Sequence, residues 1–269
     1  MSIIDLEKIC CLCCKSVTET AAYIKSNIGT VQENQIEFKS FNSLVSLIDK
    51  TAENLLKTEL LKILPDSGFI AEESEAENIE NDYVWIIDPL DGTTNFLHQL
   101  PFFAISIGLR YKDEIVVGVV YDIVHEELFY AWKNGGAYMN GTAIKVSDRP
   151  SLDQCLVATG FPYYNFEWME AYLRCFRYFM HNTRGVRRLG SAALDLAYVA
   201  CGRFDFYFEY SLQSWDMAGG ILLVKEAGGV ITDIKGGKDE LTNGSVIASN
   251  PHVFQAVLEI IQPEFRLYC

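Results

Sequence analysis

An α/β (α+β) fold is predicted for this 269-residue chain by three observations. Residues 104–146 alternate and turn repeatedly in the manner of an antiparallel meander, whereas after Pro150 strand-like and helix-like stretches alternate. Apolar residues make up 49% of the chain against 22% charged, enough to bury a substantial core. The first segment, Ile4 to Ile28, has helical spacing, with Leu6, Cys10, Cys13, Val17 and Ile24 on one face. A second helix is expected from Ser43 to Leu64, where Pro65-Asp66-Ser67-Gly68 stops it. Phe69-Ile70-Ala71 and Val84-Trp85-Ile86-Ile87 read as short buried strands. The meander then runs through Ala104 to Tyr111, Val116 to Tyr121 and Glu127 to Trp132, with turns at Lys112-Asp113 and Asn134-Gly135-Gly136. Beyond Pro150 the expected order is strand Leu156 to Thr159, helix Phe166 to Met180, helix Gly190 to Cys201 and strand Phe204 to Phe208. Helix Trp215 to Ala227, strands Val230 to Thr232 and Val246 to Ala248, and helix Phe254 to Ile261 follow. No repeat or linker is visible, so residues 1–150 and 151–269 are expected to be halves of one continuous unit.

The charge balance narrows the function classes. With 22 Lys and Arg against 36 Asp and Glu, the formal charge is −14. Such a surface repels phosphate backbones, and nucleic-acid binding is not expected. Phosphate can still be handled through bound cations. The longest apolar stretches, such as Phe102 to Leu109, have about half the length of a membrane span, and no signal pattern opens the chain. A soluble, cytoplasmic protein with reduced thiols is therefore expected. Cys10, Cys11, Cys13 and Cys14 lie in one helical pattern instead of paired turns, so they read as small buried hydrophobes and not as zinc ligands.

The most informative stretch is Trp85-Ile86-Ile87-Asp88-Pro89-Leu90-Asp91-Gly92-Thr93-Thr94-Asn95-Phe96. An apolar strand ends abruptly in two carboxylates three residues apart, where Pro89 fixes φ and Gly92 permits close backbone approach. Thr93-Thr94 opens a short helix whose unpaired N–H groups suit an anion. A plain surface turn with Asp as helix cap would use the same residue types. Two further segments add to the set. Phe69-Ile70-Ala71-Glu72-Glu73-Ser74 is again a strand ending in carboxylates, and Asp216 falls in the first turn of an apolar helix, where a charge also suits the helix dipole. Glu72, Asp88, the Leu90 carbonyl, Asp91 and Asp216 form a hard-oxygen set without His or Cys, which favours Mg²⁺ or Mn²⁺.

From about Lys39 to about Asn250 the sequence resembles the inositol monophosphatase family of Mg²⁺-dependent, lithium-sensitive phosphatases. The resemblance is carried by Glu72-Glu73-Ser74 after a strand, by the block from Trp85 to Phe96, and by Trp215-Asp216-Met217-Ala218-Gly219 followed by Glu226-Ala227-Gly228-Gly229. It implies a layered α-β-α-β-α sandwich, usually a homodimer, acting on a small phosphorylated polyol or sugar. It further implies two to three metal ions: one on Glu72, Asp88 and the carbonyl of Leu90, one on Asp88, Asp91 and Asp216, and a weaker third near Glu72. Asp49 matches the carboxylate that hydrogen-bonds the threonine matched by Thr93, the pair orienting the attacking water. Gly92 and Thr93 N–H groups match the phosphate-holding positions, Ser191, Ala192 and Glu209 those that face the sugar-like ring, and Lys39 a basic residue of the loop over the site. One departure is Ser43-Leu44-Val45-Ser46, where the family commonly has Asp first; that position reads as a helix cap.

The expected chemistry is hydrolysis of a phosphate monoester by metal-activated water without a covalent phospho-enzyme, two ions about 4 Å apart serving nucleophile and leaving group. Neither a cysteine–arginine phosphatase loop nor a nucleophile elbow is present. An inositol monophosphate is the expected substrate, because Thr94-Asn95-Phe96 stands where nucleotide-directed relatives tend to carry Lys-Glu-Phe. Phosphatases of 3′-phosphoadenosine-type nucleotides, fructose bisphosphate or another sugar phosphate are the alternatives, and a non-catalytic metal-binding regulatory protein is a third. Glu209 is expected at the pocket mouth, accepting from substrate hydroxyls, with an ion pair to Arg203 or Lys225 as the plainer alternative. The run Arg184-Gly185-Val186-Arg187-Arg188 reads as a solvated face or dimer contact, and His98, His125, His181 and His252 as surface or packing residues. Tyr163, Tyr164, Phe166 and Trp168 read as core or interface packing.

Overall fold

The computed structural model describes residues 5–31, 36–40, 43–162, 166–237 and 240–266, with the backbone alone for 36–40, 43–46 and 240. Helix α1 (Leu6–Ser26) starts behind Asp5, whose carboxylate accepts the Lys8 N–H, and buries Ile9, Cys10, Cys13, Val17, Ala21 and Ile24. Cys10, Cys13 and Cys14 are the small core residues the spacing predicts, while Cys11 faces solvent.

The second helix is shorter than its spacing predicts. Ile36–Ser40 (β1) and Ser43–Ser46 (β2) pair antiparallel, and helix α2 occupies only Leu47–Ile63. Ser43 is a strand residue and not a helix cap, because the backbone of Ser43 to Ser46 is taken up by the hairpin. Lys39 lies in β1, and its side chain is outside the described atoms.

Strands β3 (Gly68–Ala71), β4 (Tyr83–Asp91), β5 (Ala104–Tyr111), β6 (Glu114–Asp122), β7 (Glu127–Trp132), β8 (Gly136–Met139) and β9 (Thr142–Ile144) form a seven-stranded sheet in chain order. All neighbours are antiparallel except β3 and β4. The short helix α3 (Thr93–Leu97) leaves the end of β4.

The second sheet runs β11 (Val186–Arg187), β10 (Val157–Thr159), β12 (Phe206–Tyr210), β14 (Ser245–Ser249), β13 (Val230–Thr232), with β10 parallel to both its neighbours. Its helices are α4 (Met169–Asn182), α5 (Ala192–Ala200), α6 (Ser214–Glu226), α7 (Glu240–Asn243) and α8 (Phe254–Arg266). Helix α8 continues through Pro263, past the expected end at Ile261.

Period-two alternation sorts the strands into layers. Trp85, Ile87, Ile105, Ile107, Leu109, Val117 and Val119 face α1 and α2 in one apolar cluster. Ile86, Ala104 and Val120 face the opposite way, in a cluster with Leu194, Leu196, Met217, Leu223, Tyr207 and Ala248. Phe206, Phe208 and Tyr210 on the far side of β12 pack with Tyr172, Phe179, Val257 and Ile261 of α4 and α8. The order α1/α2, sheet, α5/α6, sheet, α4/α8 is the layered sandwich, and its central cluster draws on both halves of the chain.

Helix α6 is buried along Met217 to Val224 because both its sides meet protein. Glycine lets it lie close on the sheet. Gly108 and Gly118 sit opposite each other on β5 and β6, and a Cβ on them would come within 2.6 Å of Ala218 Cβ and 2.4 Å of the Gly219 carbonyl oxygen.

Candidate active site

Residues three apart on a regular strand face opposite sides of a sheet, so Asp88 and Asp91 need a device to converge. The β4–β5 register provides it. Asp88 pairs with Ser106 and Asp91 with Ala104, so three steps on β4 oppose two on β5, and the extra residue of this bulge falls at Pro89-Leu90. Pro89 suits the bulge, having no N–H to lose from the ladder. Both carboxylates thereby face α5 and α6.

On the other side of β4, Ala71 pairs with Ile87 and the Glu72 N–H donates to the Ile87 carbonyl at 3.2 Å, so Glu72 comes to lie beside Asp88. Asp216 arrives from α6. Its Oδ2 accepts the Gln213 N–H at 2.7 Å in a capping box, which sets the carboxylate at the helix start.

Gly92 turns the chain from β4 into α3 with φ +92°, a conformation that excludes most side chains, and a Cβ there would meet the Phe102 carbonyl oxygen at 2.8 Å. Thr93, next in line, places Oγ1 3.0 Å from Asp49 Oδ1 and 3.0 Å from the Leu90 carbonyl oxygen. Asp49 is 1% exposed on the first turn of α2. Asn95 donates to the carbonyls of Phe102 and Leu189 at 2.7 and 2.9 Å, tying α3 to the segment before α5. Ser191 caps α5 and donates to Asp91 Oδ2 at 2.6 Å, and the Ala193 N–H donates to the same oxygen at 2.7 Å. Ala192 is the first residue of that helix.

The electrostatics show how crowded this corner is. Burial, then the charges of Glu72, Asp91 and Asp216, push Asp88 well above the usual carboxylate range. Burial and Asp91 do the same to Asp216. Asp91 is pushed up to about 6 by burial, against the lowering pull of its Ser191 and Ala193 hydrogen bonds. No three His, Cys, Asp or Glu among the described residues are already drawn together as a chelating group. The donor chemistry nevertheless fits a hard divalent cation. Four carboxylates act on one another, and among the described residues the hydrogen bonds at Asp88, Asp91 and Asp216 each engage a single oxygen, leaving the second for a ligand.

Glu209 departs from expectation. It is 8% exposed and lies within β12 instead of at the end of the strand, following the inward-facing Tyr207 by two residues and sharing that residue's face. Arg203 is ion-paired with Glu127 instead. Burial pushes Glu209 up to about 7, opposed by the Tyr207 hydroxyl and by Arg188.

Arg188, from the run read as a solvated face or dimer contact, is half-buried over the Phe161 ring and lowers the pKa values of Asp91 and Glu209. Asp195 on α5 is also buried, with Oδ1 unpartnered among the described residues, and burial, then Glu209 and Asp91, raise its pKa. Sequence spacing gave no signal for Arg188, Asp195 or Tyr207, which join the cluster only through tertiary contact. Of the histidines, His125 has Nδ1 2.8 Å from Asp122 Oδ2, and His98, His181 and His252 are exposed. Trp168 packs on Tyr210 and Phe265, Phe166 is exposed, and Tyr163 and Tyr164 lie outside the described residues.

Comparison with known proteins supplies independent findings. The model of the inositol monophosphatase family matches residues 5–264. An inositol-1-monophosphatase of Rhizobium meliloti is 42% identical over 249 residues, 92% of this chain and 94% of its own length. The Nus factor SuhB of Escherichia coli is 42% identical over 90% of this chain and 91% of its own. Among solved structures, the extragenic suppressor protein SuhB of Bartonella henselae superposes with a TM-score of 0.89 at 42% identity, covering 93% of this chain and 97% of that one.

Proposed function

The chain belongs to the inositol monophosphatase family, a family of phosphatases, and from that premise we propose that it hydrolyses the monophosphate of inositol or a similar polyol at the acidic corner between its two sheets. The observation that carries this reading is the β4 bulge, which turns Asp88 and Asp91 to one face beside Glu72 and Asp216. A buried set of four acids is costly as an isolated feature and is explained by divalent cations and a phosphate.

Glu72, Asp88, Asp91, Asp216 and the Leu90 carbonyl would hold two to three Mg²⁺, with Mn²⁺ an acceptable substitute. Such ions supply charge neutralisation of the phosphoryl group and activation of water. The chain's own groups do the rest. When the Thr93 hydroxyl donates to Asp49, its lone pairs are turned outward to accept a hydrogen bond from the attacking water and fix its line of approach, and as the water loses a proton to Thr93 the Thr93 proton passes to Asp49. The N–H groups of Gly92 and Thr93, at the start of α3, receive phosphoryl oxygens. Ser191 and the Ala193 N–H fix the Asp91 rotamer while Glu209 accepts from ring hydroxyls. Li⁺ at millimolar order should inhibit by competing for one cation position. A homodimer in the cytoplasm completes the proposal. Among the described residues, no helix is long and apolar enough to cross a membrane.

The test is turnover of a panel of phosphate monoesters with Mg²⁺, with and without chelator, by the native protein and by Asp91→Asn. Activity should require Mg²⁺, favour inositol monophosphate over nucleotide and fructose phosphates, and fall to background in the variant. Full activity of Asp91→Asn at saturating Mg²⁺ would refute the assignment. A second reading, a regulatory role through a protein partner, is favoured by the name Nus factor carried by the Escherichia coli relative. It would be distinguished by a cellular role that survives Asp91→Asn.

A further inference from the structure

Glu209 does not choose its own position. Its Oε2 accepts the Tyr207 hydroxyl at 2.6 Å, from two residues earlier on the same face of β12. Its Oε1 accepts no hydrogen bond among the described residues, and the residue as a whole keeps 8% of its surface exposed. The carboxylate also lies against backbone. In the parallel register Thr159 stands beside Phe208, so Gly160 follows beside Glu209, and a Cβ at Gly160 would fall 1.9 Å from Oε2 and 2.1 Å from Oε1. No side chain other than hydrogen at position 160 is compatible with this placement. Tyr207 is fully buried and uses its hydroxyl on Glu209 alone among the described residues.

We propose that Tyr207 and Gly160 are positioning residues that set substrate selectivity by locking the Glu209 carboxylate, Tyr207 by holding one oxygen and Gly160 by leaving room for it, so that the other oxygen is presented to a substrate hydroxyl. The proposal rests on the reading of Glu209 as the acceptor for ring hydroxyls. A glutamate has three rotatable bonds, and a pocket that must order it at each binding event loses affinity; a preordered acceptor does not. A short hydroxyl bond to a carboxylate oxygen is the stronger kind of hydrogen bond once the carboxylate is ionised, so its loss frees the side chain. Arg188, which also lowers the Glu209 pKa, adds charge attraction.

The experiment compares KM and kcat for inositol monophosphate and for nitrophenyl phosphate, which offers no ring hydroxyls, in the Mg²⁺-loaded native protein and in Tyr207→Phe, Gly160→Ala, Glu209→Gln and the double variant Tyr207→Phe/Glu209→Gln. Thermal unfolding is followed in parallel. Tyr207→Phe should raise KM for inositol monophosphate roughly tenfold, with kcat and the nitrophenyl phosphate constants within about twofold of native. Gly160→Ala should give the same pattern with at least as large a shift. In the Glu209→Gln background Tyr207→Phe should add almost nothing, since the two act through one group. If Glu209→Gln discriminates between the substrates but Tyr207→Phe and Gly160→Ala do not, the lock is refuted and the reading of Glu209 stands. If Glu209→Gln loses both substrates equally, the recognition role fails and takes the lock with it. Equal loss of both substrates in Tyr207→Phe, or full additivity in the double variant, would make Tyr207 a packing residue and overturn the proposal.

Discussion

Thr93 has one hydroxyl proton and two acceptors at equal distance, Asp49 and the Leu90 carbonyl. That proton can serve one of them well at a time, and the choice decides where the lone pairs point. Thr93→Val keeps the branched shape and removes the hydroxyl, so kcat should fall by roughly 10²-fold or more with little change in KM, while Thr93→Ser should retain most of the rate. Steady-state kinetics on inositol monophosphate decide it, and an unchanged kcat in Thr93→Val would remove Thr93 from the reaction. At this scale the sequence disclosed the residues whose role follows from local geometry. Asp88, Asp91, Gly92 and Thr93 share one turn, and their spacing announces them. Arg188, Asp195 and Tyr207 do not announce themselves, because each meets its partners through packing between distant segments.

Among the elements, α6 has the tightest fit, with its Ala218-Gly219 step pressed onto Gly108 and Gly118 of the sheet. Gly118→Ala should push the helix off β6 and cost about 1–3 kcal/mol of stability, read as a lower unfolding midpoint in urea. Because Asp216 rides on the same helix, the variant should also bind Mg²⁺ more weakly, as shown by titration of the folded protein. Stability and affinity both matching native would mean that α6 has slack. The long elements were legible in the sequence, since the helical stripe of α1 and the alternation of β5 to β7 are strong local patterns. Ser43 to Ser46 was not. Lying directly ahead of a helical stripe, the segment joined that helix on paper, and only the pairing with Ile36–Ser40 turns it into a strand. Helix α8 likewise runs past its expected end at Ile261, continuing through Pro263 to Arg266.

For the molecule as a whole, the acidic corner costs stability when its acids ionise, and the sign follows from the raised pKa values. An unfolded chain releases the protons of Asp91 and Glu209 near pH 4, whereas the folded chain holds them to about 6 and about 7. Below this window both states are protonated and there is no penalty; as pH rises through it the unfolded state binds fewer protons and stability falls. Chelated protein should therefore lose unfolding temperature between about pH 5 and about pH 7, and saturating Mg²⁺, which binds the charged form, should reverse the slope. A chelated protein that gains stability over that interval would contradict the placement of these acids. The bond from Ser191 to Asp91 spans 100 positions of the chain, and it has a consequence for biosynthesis. At ordinary rates of translation, on the order of ten seconds separate the emergence of Asp91 from that of its partner on α5. The last strand of the seven-stranded sheet ends at Ile144, roughly midway through that interval, and from then on the side bearing Ile86, Ala104 and Val120 awaits the helices that will cover it. The nascent chain thus presents a sticky β-surface to its neighbours on the polysome, and a chaperone that shields it until α6 leaves the ribosome would govern how much active protein a cell obtains.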